Sequence, residues 1–333
     1  MEFDSAYSLL PMKIREFSRT SSARMFFALC ILVWTGVVPA LAQQKGQWVP
    51  GQYGLNAGVI PDPGFTYQNL AINYNAGTLT NSSGNAINGI TGNFNLWVDE
   101  NIFLYVSKFK LLGARYAPLV SVNFANASLV AELPSLNLGA TAAGAGITDT
   151  YVVPVNLGWH FDRADITAGY GFFAPTGRYS PGASDNTGSG YWGNHFTSGT
   201  TYYITKNKGT SANLYVDWET HGKKSGTDIT PGQAFTMEWG FGQVLPLDKD
   251  MHKLLQVGYV GYDQWQVTGN KGTYASLLPY YSGHAMGFQT NFIAPVHGLN
   301  FFFKYYEQYS AKATMKGRTI VFGGAWTLKF PKN

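Results

Sequence analysis

Three ionisable side chains, Asp217, Glu219 and His221, occupy alternate positions of one short stretch. In a β-strand that period puts all three on one face. Two carboxylates and an imidazole facing the same way can select ions, hold the polar groups of a solute, or fill an interior with hydrogen bonds. Neutral amides recur at the same period in Gln256, Gln264 and Gln266, and again in Gln289 and Asn291. Tyr215 and Tyr262 add aromatic surface to the same set, and Asp165 and Lys304 lie on the polar faces of other stretches. A face of amides and aromatic rings suits an uncharged, partly apolar solute better than a bare ion.

Catalysis asks for more than this. A hydrolase built on serine and histidine needs both, with an amide or carboxylate to orient the imidazole. The six histidines are His160, His195, His221, His252, His284 and His297, and none lies in a recognisable serine or acid motif. No two have the spacing of a helical metal site, although spacing leaves a cross-strand site open. The Gly-rich stretch Asn186–Gly190 has no helix after it and so no phosphate-loop character. Thr176-Gly177 after Pro175, and Pro231-Gly232, read as turn chemistry. The expectation is a protein that is not an enzyme, with no catalytic residue, no cofactor and no metal.

These residues need a scaffold, and the chain outlines it. Met25–Val38 is an apolar stretch behind Lys13, Arg15, Arg19 and Arg24, and it ends in Ala40-Leu41-Ala42. Basic, apolar, then small is the pattern of a cleaved secretory signal peptide, assigned here to residues 1–42. The sole cysteine, Cys30, falls inside it, so the exported chain is expected to have no disulfide and no thiol ligand. Charged residues make up 13% and aromatics 16%, glycine occurs 39 times, and mean hydropathy is -0.10. That hydropathy is too low for a helical membrane protein, and the charge is sparse for a soluble β-sandwich. One face in lipid and one in water accounts for all four quantities. A formal net charge of +4, scattered along the chain, carries no nucleic-acid signature.

After a Gly/Pro-rich segment at 43–64, read as a tail or a plug, the rest of the chain repeats short alternating stretches separated by turn residues. About twelve strands are expected, at 65–78, 86–98, 111–127, 147–161, 163–177, 190–206, 210–222, 231–246, 253–268, 279–295, 298–311 and 317–330; each is long enough for a tilted crossing of about 9–11 residues. Connections after odd strands are mostly long (Ala127–Gly146, Arg178–Gly190, Gly222–Thr230, Gly269–Leu278), and those after even strands mostly short (Asp162-Arg163, Val296-His297-Gly298). Asp99–Lys110 breaks the parity. Long outer loops and short periplasmic turns are the habit of outer-membrane barrels. In 210–222, Leu214, Val216 and Trp218 oppose Tyr215, Asp217, Glu219 and His221. The paired aromatics Tyr202-Tyr203, Tyr280-Tyr281, Phe301-Phe302-Phe303 and Tyr305-Tyr306 interrupt such alternation and read as interfacial girdles. Trp326-x-Leu328-x-Phe330 resembles a barrel's closing strand, three residues short of the end.

The mature chain resembles a known group. The matching pieces, in order, are Pro61-Asp62-Pro63-Gly64-Phe65, Leu112-Gly113-Ala114-Arg115-Tyr116, Gly146-Ile147-Thr148-Asp149-Thr150, Val153-Pro154-Val155-x-Leu157-Gly158-Trp159, and Gly171-Phe172-Phe173-Ala174-Pro175-Thr176-Gly177-Arg178-Tyr179. Asn186-Thr187-Gly188-x-Gly190-Tyr191-Trp192, Thr200-Thr201-Tyr202-Tyr203, Thr227-Asp228-Ile229-x-Pro231-Gly232 and Gly261-Tyr262-Asp263-Gln264-Trp265-Gln266 follow. The ordered set is similar to the MetA-pathway of phenol degradation family. That resemblance implies an outer-membrane barrel concerned with hydrophobic or aromatic compounds, and brings no site residues with it.

The expected architecture is therefore all-β: a transmembrane antiparallel up-and-down β-barrel over residues 65–333, in a bacterial outer membrane. The expected partners are outer-membrane lipid and a small hydrophobic or aromatic solute taken up passively; the alternative is a structural or adhesion-type barrel with a filled lumen. The candidate lumen-lining residues are Asp217, Glu219, His221, Tyr262, Gln264, Gln266, Gln289 and Asn291.

Overall fold

Alternation of apolar and polar residues lets a strand face lipid with one edge of its pleat and the interior with the other. The computed structural model describes residues 46–273 and 275–329, and builds the barrel within them from such strands. They are β1 (Gly64–Leu79), β2 (Thr91–Val106), β3 (Lys110–Leu111), β4 (Ala114–Tyr116), β5 (Leu119–Leu133), β6 (Leu138–Ile147), β7 (Thr150–His160), β8 (Ala164–Ala174), β9 (Gly193–Tyr203), β10 (Thr210–His221), β11 (Ala234–Pro246), β12 (Leu254–Gln266), β13 (Ser282–Ala294), β14 (Leu299–Lys312) and β15 (Met315–Lys329). The expected signal peptide, Cys30 and Phe330 lie outside the described residues.

Consecutive strands of the wall pair antiparallel, and β1 pairs with both β2 and β15, Gly64 lying opposite Lys329. The ring closes at a short β5–β7 contact, Leu119–Ser121 against Tyr151–Val153. Twelve strands make the wall: β1, β2, β5 and β7 to β15. Closure pairs the wall strands all the way round, the condition for a sheet to exist in hydrocarbon, and the free edge of β6 belongs to the extension above the ring. Lipid-side positions carry Leu214, Trp218, Phe241, Tyr259, Phe288 and Trp326, all well exposed. The rim holding Gly64 and Lys329 is crossed mostly by short turns and is taken as periplasmic; the opposite rim carries the longer loops.

Three sequence expectations change. Asp99–Val106, expected in a connection, completes β2, pairing with β1 and β5. Ala127–Gly146, expected as a loop, is a β5–β6 hairpin that extends the sheet above the ring, Phe124–Leu133 pairing with Leu138–Ile147. Small residues (Gly139 to Gly146) diluted the alternating signal there, while cross-strand hydrogen bonds still formed. The aromatic pairs do not break alternation. Phe302 and Tyr306 are buried inside while Phe301 faces out, and Tyr281 is buried beside an exposed Tyr280.

The β1–β2 wall is apolar inside. Leu70, Ile72, Val98, Phe302 and Val321 form a buried cluster there, with Val49 of the N-terminal segment packed on it. Asparagines lie outside that cluster, where Asn73 donates to Asn95 at 2.8 Å and Tyr67 to Asn101 at 2.7 Å.

Candidate functional site

The segment before β1 runs through the barrel. Gly51 (φ +101°), Gly54 (φ +132°) and Asn56 (φ +63°) take left-handed backbone conformations, and these fold residues 49–59 into consecutive turns. Two glycines allow close passage: a Cβ on Gly58 would strike the carbonyl of Asp165, and one on Gly199 the carbonyl of Ala57.

Backbone groups of such a segment must be paired once water is excluded. The strands supply the partners level by level. At the outer level, Gly46 N–H donates to Tyr281 Oη at 2.7 Å and Gln47 N–H to Glu219 Oε2 at 2.7 Å. At mid-height, Glu238 accepts from Trp48 Nε1 at 2.9 Å and from Tyr53 N–H at 2.8 Å. Lys304 Nζ donates to the carbonyls of Gly51, Gln52 and Tyr53. Tyr53 stacks on Tyr215 with ring centres 3.8 Å apart, and Trp48 stacks on Tyr215 at 5.6 Å. Lower down, Leu55 N–H donates to Gln289 Oε1 at 3.0 Å and Asn56 N–H to Asn213 Oδ1 at 2.9 Å. Asp62 closes the series at the periplasmic rim, 3.0 Å from Lys329 and 3.6 Å from Arg115. The hydrogen bond from Lys329 leads these in holding its carboxyl below the usual carboxylate range, against a partial burial that raises it.

The structure places the predicted site residues as follows. Asp217, Glu219, Tyr262, Gln264, Gln266, Gln289 and Asn291 are buried within the barrel, and the His221 side chain is buried with them. Gln264 Nε2 donates to the Trp48 carbonyl at 3.2 Å. Gln289 and Asn291 share one chain of amides with Gln256 and Asn56. Gln266 turns to the Thr268 carbonyl and Asn270. Tyr262 packs on Tyr306, 5.4 Å between ring centres. His221 lies 3.2 Å from Glu219 Oε2 through Nε2 and 2.8 Å from the Gly232 carbonyl through Nδ1. The eight residues thus fall into an acidic group at the outer end and amide groups elsewhere.

Sequence reading passed over several residues here. His195 pairs in register with Glu219 across β9–β10, and its Nδ1 sits 2.8 Å from Asp217 Oδ2. Glu238 and Glu100 are buried together with the segment, beside Lys304, which the alternation had already placed on a polar face. Alternation along β9 and β11 is the signal that points His195 and Glu238 inward. Their partners come from distant segments, so spacing could not reveal them.

Above the segment, at the outer rim, lies a cavity of about 260 Å³. Gly46 and Gln47 form its base. Its walls are largely small and apolar: Phe94 and Leu96 of β2, Ala127 and Leu129 of β5, and Ala142 of β6. Ser184, Asn186 and Ser189 of the β8–β9 loop add a few polar groups. Apolar walls with sparse polar groups are the make-up of small-molecule pockets.

Loop residue Lys224 is buried against the Tyr191 ring, 5.9 Å away, and its ammonium has no hydrogen-bond partner among the described residues. Burial pushes its pKa down to about 8.

The fold has solved counterparts. The COG4313 outer membrane channel from Pseudomonas putida F1 superposes with a TM-score of 0.67 at 10% identity, over 84% of this chain and 100% of that one. The β domain of the Bordetella autotransporter BrkA does so with a TM-score of 0.50 at 9% identity, over 80% and 100%. Identities this low speak for a shared outer-membrane barrel fold. Comparison with curated protein sequences finds no match. The sequence profile of one family matches residues 76–323, nearly the whole barrel. The chain is an outer-membrane β-barrel that belongs to the MetA-pathway of phenol degradation family.

Proposed function

We propose that this barrel is a channel for passive uptake of small hydrophobic or aromatic compounds, that it is not an enzyme, and that its N-terminal segment acts as the plug. One observation carries the reading: the apolar cavity of about 260 Å³ at the outer rim, with Gly46 and Gln47 of that segment as its base. Its volume suits a monoaromatic solute, and its walls offer aromatic and aliphatic contact with few groups to desolvate. The channel from Pseudomonas putida, by its own description an outer membrane channel, supports the reading through its fold. Passage then requires the segment to shift, since its backbone is bonded to the wall from Gly46 to Gly58.

The test is toluene uptake into liposomes carrying the purified barrel, with Ala127→Trp as the variant that fills the cavity. Wild type should speed uptake over protein-free liposomes, and the variant should lose that gain while keeping the heat-modifiable gel migration of a folded barrel. Equal uptake with and without wild-type protein would defeat the proposal. The tight bonding of residues 46–62 inside the lumen favours a second reading, a structural barrel with a permanently filled interior. That reading requires wild type to show neither toluene uptake nor channel conductance.

A further inference from the structure

Five buried polar atoms without a hydrogen-bond partner among the described residues cluster at the outer end of the lumen: His195 Nε2, Asp217 Oδ1, Glu219 Oε1, Gln47 Oε1 and Tyr191 Oη. Unpaired buried polar groups are costly, and each calls for an explanation. Here they converge. His195, Asp217 and Glu219 have no exposed surface, and one ligand atom from each falls within 4.8 Å of the others.

The surrounding bonds fix which atoms are left over. His195 Nδ1 is engaged by Asp217 Oδ2 at 2.8 Å, so the imidazole presents Nε2. A carboxylate holding the far nitrogen of a histidine is the usual support of a histidine metal ligand. Glu219 Oε2 already accepts from the backbone N–H of Gln47 and Trp48 and lies 3.2 Å from His221 Nε2, which leaves Oε1 free. Gln47 Nε2 faces Ser189 Oγ at 2.6 Å and the Tyr191 carbonyl at 3.3 Å, which turns Oε1 the other way. Gly193 lines that side, and a Cβ there would collide with Gln47 Oε1, so glycine keeps the space for the amide oxygen.

We propose that His195 Nε2, Glu219 Oε1 and Gln47 Oε1 bind one divalent first-row transition-metal ion that fastens the N-terminal segment to β9 and β10, with Asp217 steadying the imidazole from its Nδ1 side. Glu219, buried with one oxygen lacking any donor, is destabilised, and a bound dication neutralises it. Oxygen donors with one imidazole suit zinc or manganese, whereas an oxygen-only cage would suit calcium or magnesium. Three protein donors and a water complete a four-coordinate shell, in which donors at about 2.1 Å from the ion stand up to about 4.2 Å apart. Gln47 and Tyr191 also line the outer cavity, which supplies a route for the ion from outside. The inference goes beyond solute uptake and does not depend on the solute's identity.

The test uses the full-length mature barrel without an affinity tag, stripped with chelator and titrated with ZnCl₂ in parallel with CaCl₂. Bound metal is counted by mass spectrometry of the desalted protein, and folding is followed by heat-modifiable gel migration. One zinc per folded barrel is expected, and no calcium. His195→Gln and Glu219→Gln should weaken zinc binding by about 10–100-fold or more. Gln47→Met lies outside the barrel wall and should weaken it without touching wall folding, so it serves if the strand variants fail to fold. His284→Gln should bind as wild type does. Folded wild type that takes up no zinc would overturn the proposal. So would zinc uptake unaffected by Gln47→Met together with whichever strand variants fold.

Discussion

Trp48→Ala is the sharpest test of how the lumen is closed. The indole is buried, donates to Glu238 Oε1 at 2.9 Å and stacks on Tyr215. Truncating a buried tryptophan to alanine costs about 3–5 kcal/mol. The orphaned oxygen of Glu238 adds about 1–3 kcal/mol. Part of that total is recovered by water entering next to the carboxylate, which leaves a net loss of about 4 kcal/mol. The barrel ladder contains no part of Trp48, so the loss falls on docking of the segment. At about 1.4 kcal/mol per tenfold, the displaced segment becomes about a thousandfold more populated. Single-channel recording in a planar bilayer reads this directly: wild type should rest in a low-conductance state, and Trp48→Ala should open often. Deletion of residues 46–58 sets the upper limit. Trp48→Phe keeps most of the stacking area and should fall between, its deficit being the lost N–H. If folded Trp48→Ala and the deletion both conduct as wild type does, the segment is not what closes the lumen, and the reasoning fails.

Lys304→Met should also raise open probability, because the ammonium holds the carbonyls of Gly51, Gln52 and Tyr53. Combined with Trp48→Ala the effect should be less than additive, since both variants release the same segment; additive conductance changes would show two independent anchors. Gly199→Val should displace the segment at Ala57 and raise its protease sensitivity, with the wall's thermal midpoint little changed. Lys224→Met tests the buried ammonium in the outer loop. Its folded pKa near 8 lies below the ordinary 10.5, so the unfolded chain holds more protons between those values and stability rises with pH across that window. Below pH 8 the buried charge costs about 3 kcal/mol, less whatever the Tyr191 ring returns. Lys224→Met should therefore raise the thermal midpoint at pH 7 and match wild type at pH 10.5; an equal gain at both values would contradict the burial argument.

Much of the wall was legible from residue order. Period-two alternation identified β10, with Leu214 and Trp218 outward and Tyr215, Asp217 and Glu219 inward, because a strand between lipid and interior has only two environments to satisfy. The same rule fails where those environments change. In β1 and β2 the inner face packs against Val49 of the chain itself, so Leu70, Ile72 and Val98 point inward. The inverted pattern is what hid the end of β2. In the β5–β6 hairpin, small residues on both faces erased the signal, and pairing between strands decided the structure.

The candidate site divides along the same line. Sequence alone determined that Asp217, Glu219 and His221 share a face, that the amides of β12 and β13 do likewise, and that residues 43–64 are poor in strand character. Alternation is a local property, set within one strand by the pleat. Tertiary structure alone decided that His195 stands opposite Glu219, that Gln47 and Trp48 sit between β9, β10 and β11, and that Lys304 closes on the turn at Gly51–Tyr53. Those contacts join residues more than a hundred positions apart in most cases, and ring closure with the inward path of one short segment brings them together. No spacing along the chain encodes that path.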